Sequence, residues 1–102
     1  MSIFSTFGTI HKANKELKKL EAIVDDLIYD IEHNISSVSI LKGKYENFQN
    51  SKKLFIEIVS RDNSALVAPY FWKGQKVLVP DLGMYFNRLS ENFELVISSR
   101  SR

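Results

Sequence analysis

From Ile10 to Phe48, apolar residues return at heptad spacing in two interleaved rows, and this pattern restricts the fold more than any other feature of the chain. One row is Ile10, Leu17, Val24, Ile31, Val38 and Tyr45; the other is Ala13, Leu20, Leu27, Leu41 and Phe48, interrupted at Asn34. Side chains three and four apart share one face of an α-helix, and neither glycine nor proline stands between Thr9 and Lys42 to break it. The stretch is expected to be helical. Unbroken, it would be about 58 Å long at a rise of ~1.5 Å per residue, whereas a compact chain of this size is only about 35 Å across. The helix must therefore fold back as a hairpin or project and be covered by a second chain. The weak point is His33-Asn-Ile-Ser-Ser-Val-Ser39, where serines and β-branched residues of modest helix propensity follow Asn34, so a break is predicted near 34–38.

Charge follows the same stretch in blocks. Lys12, Lys15, Lys18 and Lys19 stand against Glu16; Glu21, Asp25, Asp26, Asp30 and Glu32 follow without a base; Lys42, Lys44, Lys52 and Lys53 then stand against Glu46. A hairpin lays the acidic block 21–32 on the basic block 38–53. An antiparallel homodimer does as well, with residues 12–19 of one chain opposite 25–32 of the other. Parallel pairing stacks like on like and is disfavoured. Ile23, Ile28, Ile35 and Ile40 widen the apolar face beyond a two-stranded seam, so it is expected to meet more than one neighbour. Self-association is expected through Leu17, Leu20, Val24, Leu27, Ile31, Val38 and Leu41, with Leu27 and Ile31 buried and Asp25 and Asp26 solvated.

The second half reads as strands. Leu54–Ser60 alternates, Arg61-Asp-Asn-Ser64 is a turn cluster, and Ala65–Trp72 and Lys76–Val79 flank a three-residue hairpin loop, Lys73-Gly-Gln75. Pro69 marks an edge or a bulge. Asp81–Ser90 is expected to be a short helix with Asp81 as its cap, Phe93–Ser98 a last strand, and Ser99–Arg102 a mobile tail. The expectation is one α+β domain over 1–102, in the order α(α)βββαβ. Residues 10–50 form a helical, coiled-coil-like half, and 52–99 a β-rich half with a small antiparallel sheet and one short helix.

Composition narrows the chemistry. No cysteine is present, so there is no disulfide, thiolate nucleophile or cysteine-held zinc. His11 and His33 are widely separated on the helix, and His33 beside Asp30 and Glu32 reads as a solvated face, since zinc needs three or four converging ligands. Lys42-Gly43-Lys44 lacks the spacing and the hydroxyl residue of a phosphate-binding loop, and no serine sits in a nucleophile elbow. The chain is expected to be non-enzymatic, with no cofactor and no metal. No segment approaches the ~20 apolar residues that span a bilayer, and residues 1–10 show no charged leader, so a cytoplasmic location and no membrane partner are expected. Phe4 and Phe7 are expected to pack onto the fold.

Two partner surfaces suggest themselves. Tyr70, Trp72, Lys73, Lys76 and Arg88, with Phe71 and Tyr85 nearby, form an aromatic and basic hairpin surface suited to another protein, which is the expected partner besides a second copy of the chain. The same residues, with the basic row His11, Lys12, Lys15 and Lys19, would serve a nucleic-acid-binding protein through stacking and phosphate contacts. The net charge of +2 is too small to favour that alternative.

Overall fold

The computed structural model describes residues 3–101, and their side chains from Ser5 onward. The heptad stretch is helical in two pieces, α1 (Ile3–His33) and α2 (Val38–Ser60), folded back on each other. The break falls where it was predicted, and its chemistry is local. Asn34 adopts a left-handed φ of 53°, which asparagine tolerates better than most residues. Its N–H bonds to Ile31 O at 3.3 Å and that of Ile35 to Asp30 O at 3.1 Å, the paired bonds of a Schellman stop. Ser37 then caps α2, accepting from Ile40 N at 3.4 Å.

α1 has 31 residues and so is ~46 Å long. It fits because the body is a rod of 52 × 22 × 18 Å, not the near-sphere assumed in arguing from length.

The β-rich second half is corrected. Leu54–Ser60 is the last part of α2, because burial follows Phe48, Ser51, Phe55, Ile58 and Val59 at helical spacing while Leu54 and Ile56 face outward. Asp62 caps a short helix α3 (Asn63–Val67), accepting from Ser64 N at 2.8 Å, where a turn and a strand were expected. The strands are β1 (Tyr70–Trp72) and β2 (Gln75–Val77), antiparallel, with Tyr70 opposite Val77 and Trp72 opposite Gln75. The hairpin loop has two residues, not three: Lys73 at φ 50° and Gly74 at φ 81° both take the positive angles of a type I′ turn. α4 (Val79–Arg100) absorbs the expected short helix, the expected last strand and the start of the tail. Leu82, Phe86, Leu89, Phe93 and Ile97 form one continuous buried stripe along it. Its cap position is Leu78, Pro80 supplies a preset φ in the first turn, and Asp81 lies inside that turn.

α1 and α4 both run antiparallel to α2. Thr6 Oγ1 donates to Asp62 Oδ2 at 2.8 Å at one end, and Arg100 Nη2 donates to Ile31 O at 2.9 Å at the other. Edge-on aromatic pairs fill the α2–α4 seam, Phe48–Phe93 at 5.5 Å and Phe48–Phe86 at 6.2 Å between centroids. The hairpin straps across this bundle. Tyr70 packs on Phe55 at 5.7 Å and Trp72 on Phe86 at 5.4 Å.

Candidate functional site

The residues expected to mediate self-association lie inside one chain. Leu17, Leu20, Val24, Leu27 and Leu41 are fully buried in the three-helix core, and Ile31 and Val38 are half-buried against it. The five buried ones offer no surface to a second chain while the hairpin is closed.

At the loop end, charge and backbone are locked together. Lys44 Nζ lies 2.7 Å from Asp30 Oδ2 and 2.8 Å from Asp26 Oδ2, and Asp30 Oδ1 accepts from Ser36 N at 2.8 Å. The Lys44 ammonium beside it, followed by the Ser36 hydrogen bonds, holds the Asp30 carboxyl down at about 2. The two carboxylates in turn raise Lys44. Asp30 was expected on a solvated face; it is buried, since it lies on the side of α1 turned to α2 and supplies the acceptors that the reversal needs. Asp25 and Asp26 are exposed as expected. His33 is exposed too, its Nδ1 2.9 Å from Tyr29 O and its ring stacked on Tyr29 at 4.0 Å.

The hairpin divides its aromatics between two faces. Tyr70 is fully buried, its hydroxyl donating to Ala65 O at 2.6 Å, and burial pushes that phenol up. Trp72 is buried against Tyr85 and Phe86. Tyr70 and Trp72 are therefore withdrawn from the partner surface proposed for them, because alternate strand residues point to opposite faces and these two point inward. Phe71 points out and is 55% exposed beside its cross-strand neighbour Lys76. Lys73 reaches α1, where its Nζ bonds the Asp25 carboxylate and its N–H donates to Glu21 Oε1; Asp25 raises its pKa. Lys76 and Arg88 are exposed. The Phe4 side chain lies outside the described residues, and Phe7 is exposed rather than packed.

An apolar groove of about 420 Å³ opens at the end of the rod where α3 meets the start of α4. Leu66, Val67, Leu78, Val79 and Pro80 line it, and Val67 is 75% exposed. Sequence reasoning missed this feature because Ala65–Val67 was read as strand. The usable signal was Asp62 followed at once by a short polar-to-apolar run, which is a helix-cap pattern.

Among the described residues no group of three or more histidine, aspartate or glutamate side chains is placed to hold a metal ion. No helix among them is long and apolar enough to cross a membrane. No family model, curated protein or solved structure matches the chain.

Proposed function

We propose that this chain is a non-enzymatic protein-interaction module that self-associates and receives an apolar segment of another protein. The groove between α3 and α4 carries the reading. Its five lining residues are all apolar, and Leu66, Val67 and Leu78 remain substantially exposed although the adjoining core is filled. Apolar side chains gathered around a concavity are unfavourably hydrated until something covers them. A leucine or phenylalanine from a partner segment fits that chemistry.

The experiment is affinity capture from the source cells with the wild-type chain and with Val67→Asp. The expected result is a discrete protein retained by the first and lost with the second, while circular dichroism shows both folded. Retention of the same proteins by both chains would overturn the groove as the docking site.

A nucleic-acid-binding reading draws on Phe71 and Lys76 on the outer face of the hairpin and on the exposed His11, Lys12, Lys15 and Lys19 of α1. It is the weaker of the two. The stacking platform it needs has lost Tyr70 and Trp72 to the core.

A further inference from the structure

The outward face of α1 carries an order of charge that burial of its apolar rows does not require. Along the stripe turned away from α2 and α4 lie His11, Lys15, Lys18, Ala22, Asp25 and Tyr29, all exposed, with Lys12, Lys19 and Asp26 on its margin toward α2. Bases occupy one side of Ala22 and acids the other. The only acids in the first part of the helix, Glu16 and Glu21, are less exposed; one oxygen of each bonds Ser51 or the hairpin, and the other lies 3.7 Å from Lys19 and 3.5 Å from Lys18 respectively. Such a face is the charge complement of itself turned end for end.

We propose that a second copy of this chain docks on this face, antiparallel about a two-fold axis at Ala22. In that register the margins match: Lys19 faces the partner subunit's Asp26 on one side and Lys18 faces the partner subunit's Asp25 on the other. Each pairing occurs twice by symmetry. Lys15 lies opposite the partner subunit's Tyr29, a ring that is 56% exposed and already backed by His33, so an ammonium can sit over it. Ala22 meets its own copy at the centre, where a small side chain lets the helices approach. A parallel pairing would set Lys15, Lys18 and Lys19 against themselves and is repulsive.

The contact is modest. From Lys15 to Tyr29 it spans roughly 22 Å of helix, well short of the interface that a permanent dimer buries. Its charges are exposed and partly engaged within the chain already: side-chain exposure is 75% for Lys18, 68% for Lys19, 57% for Asp25 and 62% for Asp26. The dimer is thus weak, reversible and dependent on ionic strength, since salt screens exposed charges beyond roughly 10 Å at 0.1 M. The inference rests on the self-association half of the proposed function and makes no use of the α3–α4 groove.

Two experiments test it. The first is sedimentation of the full chain from 10 µM to 1 mM in low salt and in roughly 0.5 M salt, where the expected dimer weakens by about tenfold or more. Lys18→Glu with Lys19→Glu sets carboxylate against carboxylate in both central pairings, and Asp25→Lys with Asp26→Lys sets ammonium against ammonium. Each double variant is expected to be monomeric alone, and an equimolar mixture of the two to form a heterodimer. The second experiment does not depend on those charges. The chain has no cysteine, so Ala22→Cys places a single thiol on the two-fold axis. Helix axes about 9–10 Å apart bring the two Cα atoms to about 5 Å, within disulfide range. Mild oxidation should then link Ala22→Cys as a dimer and leave Glu46→Cys, on the outer face of α2, unlinked. A wild-type chain that stays monomeric at 1 mM in low salt overturns the proposal. So do equal cross-linking of the two cysteine variants and charge-reversed chains that dimerise alone as well as the wild type does. A monomer that still captures its partner through Val67 would sink this dimer and leave the groove reading standing.

Discussion

Replacing Leu27 with alanine should be far more damaging than replacing its neighbour Asp26, and the contrast tests the whole helical register. Leu27 is fully buried in the core of the bundle. Truncation there removes buried methyl groups and leaves a cavity between rigid helices, a loss of roughly 2–5 kcal/mol in comparable cores. The bundle cannot collapse easily around the gap, because α1 is tied at one end by Thr6 to Asp62 and at the other through Ile31 to Arg100. The loss should therefore fall in the upper part of that range. Domains of this length are stable by only about 5–15 kcal/mol, so the variant should melt many degrees lower. The Asp26 side chain is 62% exposed, and removing it leaves Lys44 still 2.7 Å from Asp30. An exposed ion pair contributes no more than about 1 kcal/mol. Urea melts of Leu27→Ala and Asp26→Ala, followed by circular dichroism at 222 nm and fitted with a common slope, measure both changes. If the aspartate change proved the larger, Asp26 and not Leu27 would face the core, and the helical register of α1 would be wrong.

Other perturbations have equally definite outcomes. The Asp30 carboxyl titrates lower in the folded chain than in the unfolded one, so between about pH 4 and pH 2 the unfolded state binds more protons and the contribution of this group is lost as pH falls. Stability of the wild type should decline across that window, and the decline should be shallower in Asp30→Asn; acid-range urea melts decide it. Gly74→Ala should destabilise by about 1 kcal/mol without disturbing any neighbour, because a Cβ there meets open space but the backbone stays at φ 81°. An unchanged melting temperature in that variant would remove the type I′ turn as the hairpin's determinant. Titration with single- and double-stranded oligonucleotides near physiological salt should show nothing tighter than about micromolar, given the small net charge. A nanomolar complex with a steep salt slope would reverse the order of the two functional readings.

The helical first half was legible because two kinds of signal agreed. Apolar spacing extended over many turns, and Asn34 interrupted it at the one place where the backbone reverses. The second half was misread where a short run satisfied both periods. In Leu54–Val59 only Glu57 is polar, so alternation over six residues cannot be told from a helix buried on one side. What resolves it is continuity: Phe48, Ser51, Phe55 and Ile58 prolong the face that Leu41 begins. The same holds for Phe93 and Ile97, which continue the stripe of Leu82, Phe86 and Leu89. The surface assignment of Tyr70 and Trp72 failed because alternation puts both on one face of β1 without saying which face turns inward; their packing on Phe55 and Phe86 decides it.

Charge blocks carry less information than apolar rows, and the acidic block of α1 shows why. Its alternation of sign with residues 38–53 suited a hairpin and an antiparallel pair of chains equally, and within the chain Lys44 alone of that basic block contacts the acidic one, at Asp26 and Asp30. Which carboxylate becomes buried was set by the Schellman stop, whose reversal brings Ser36 N onto Asp30 and leaves Asp25 and Asp26 outside. Lys12, Lys15, Lys18 and Lys19 take no part in closing α1 onto α2. A hairpin needs only one complementary pair of blocks, yet α1 carries two blocks of opposite sign along its own outward face. The proposed antiparallel dimer rests on that order of charges. The apolar rows therefore account for the monomer's core, whereas the exposed charges serve at its margins, Asp26 holding Lys44 of α2 and Asp25 holding Lys73 of the hairpin.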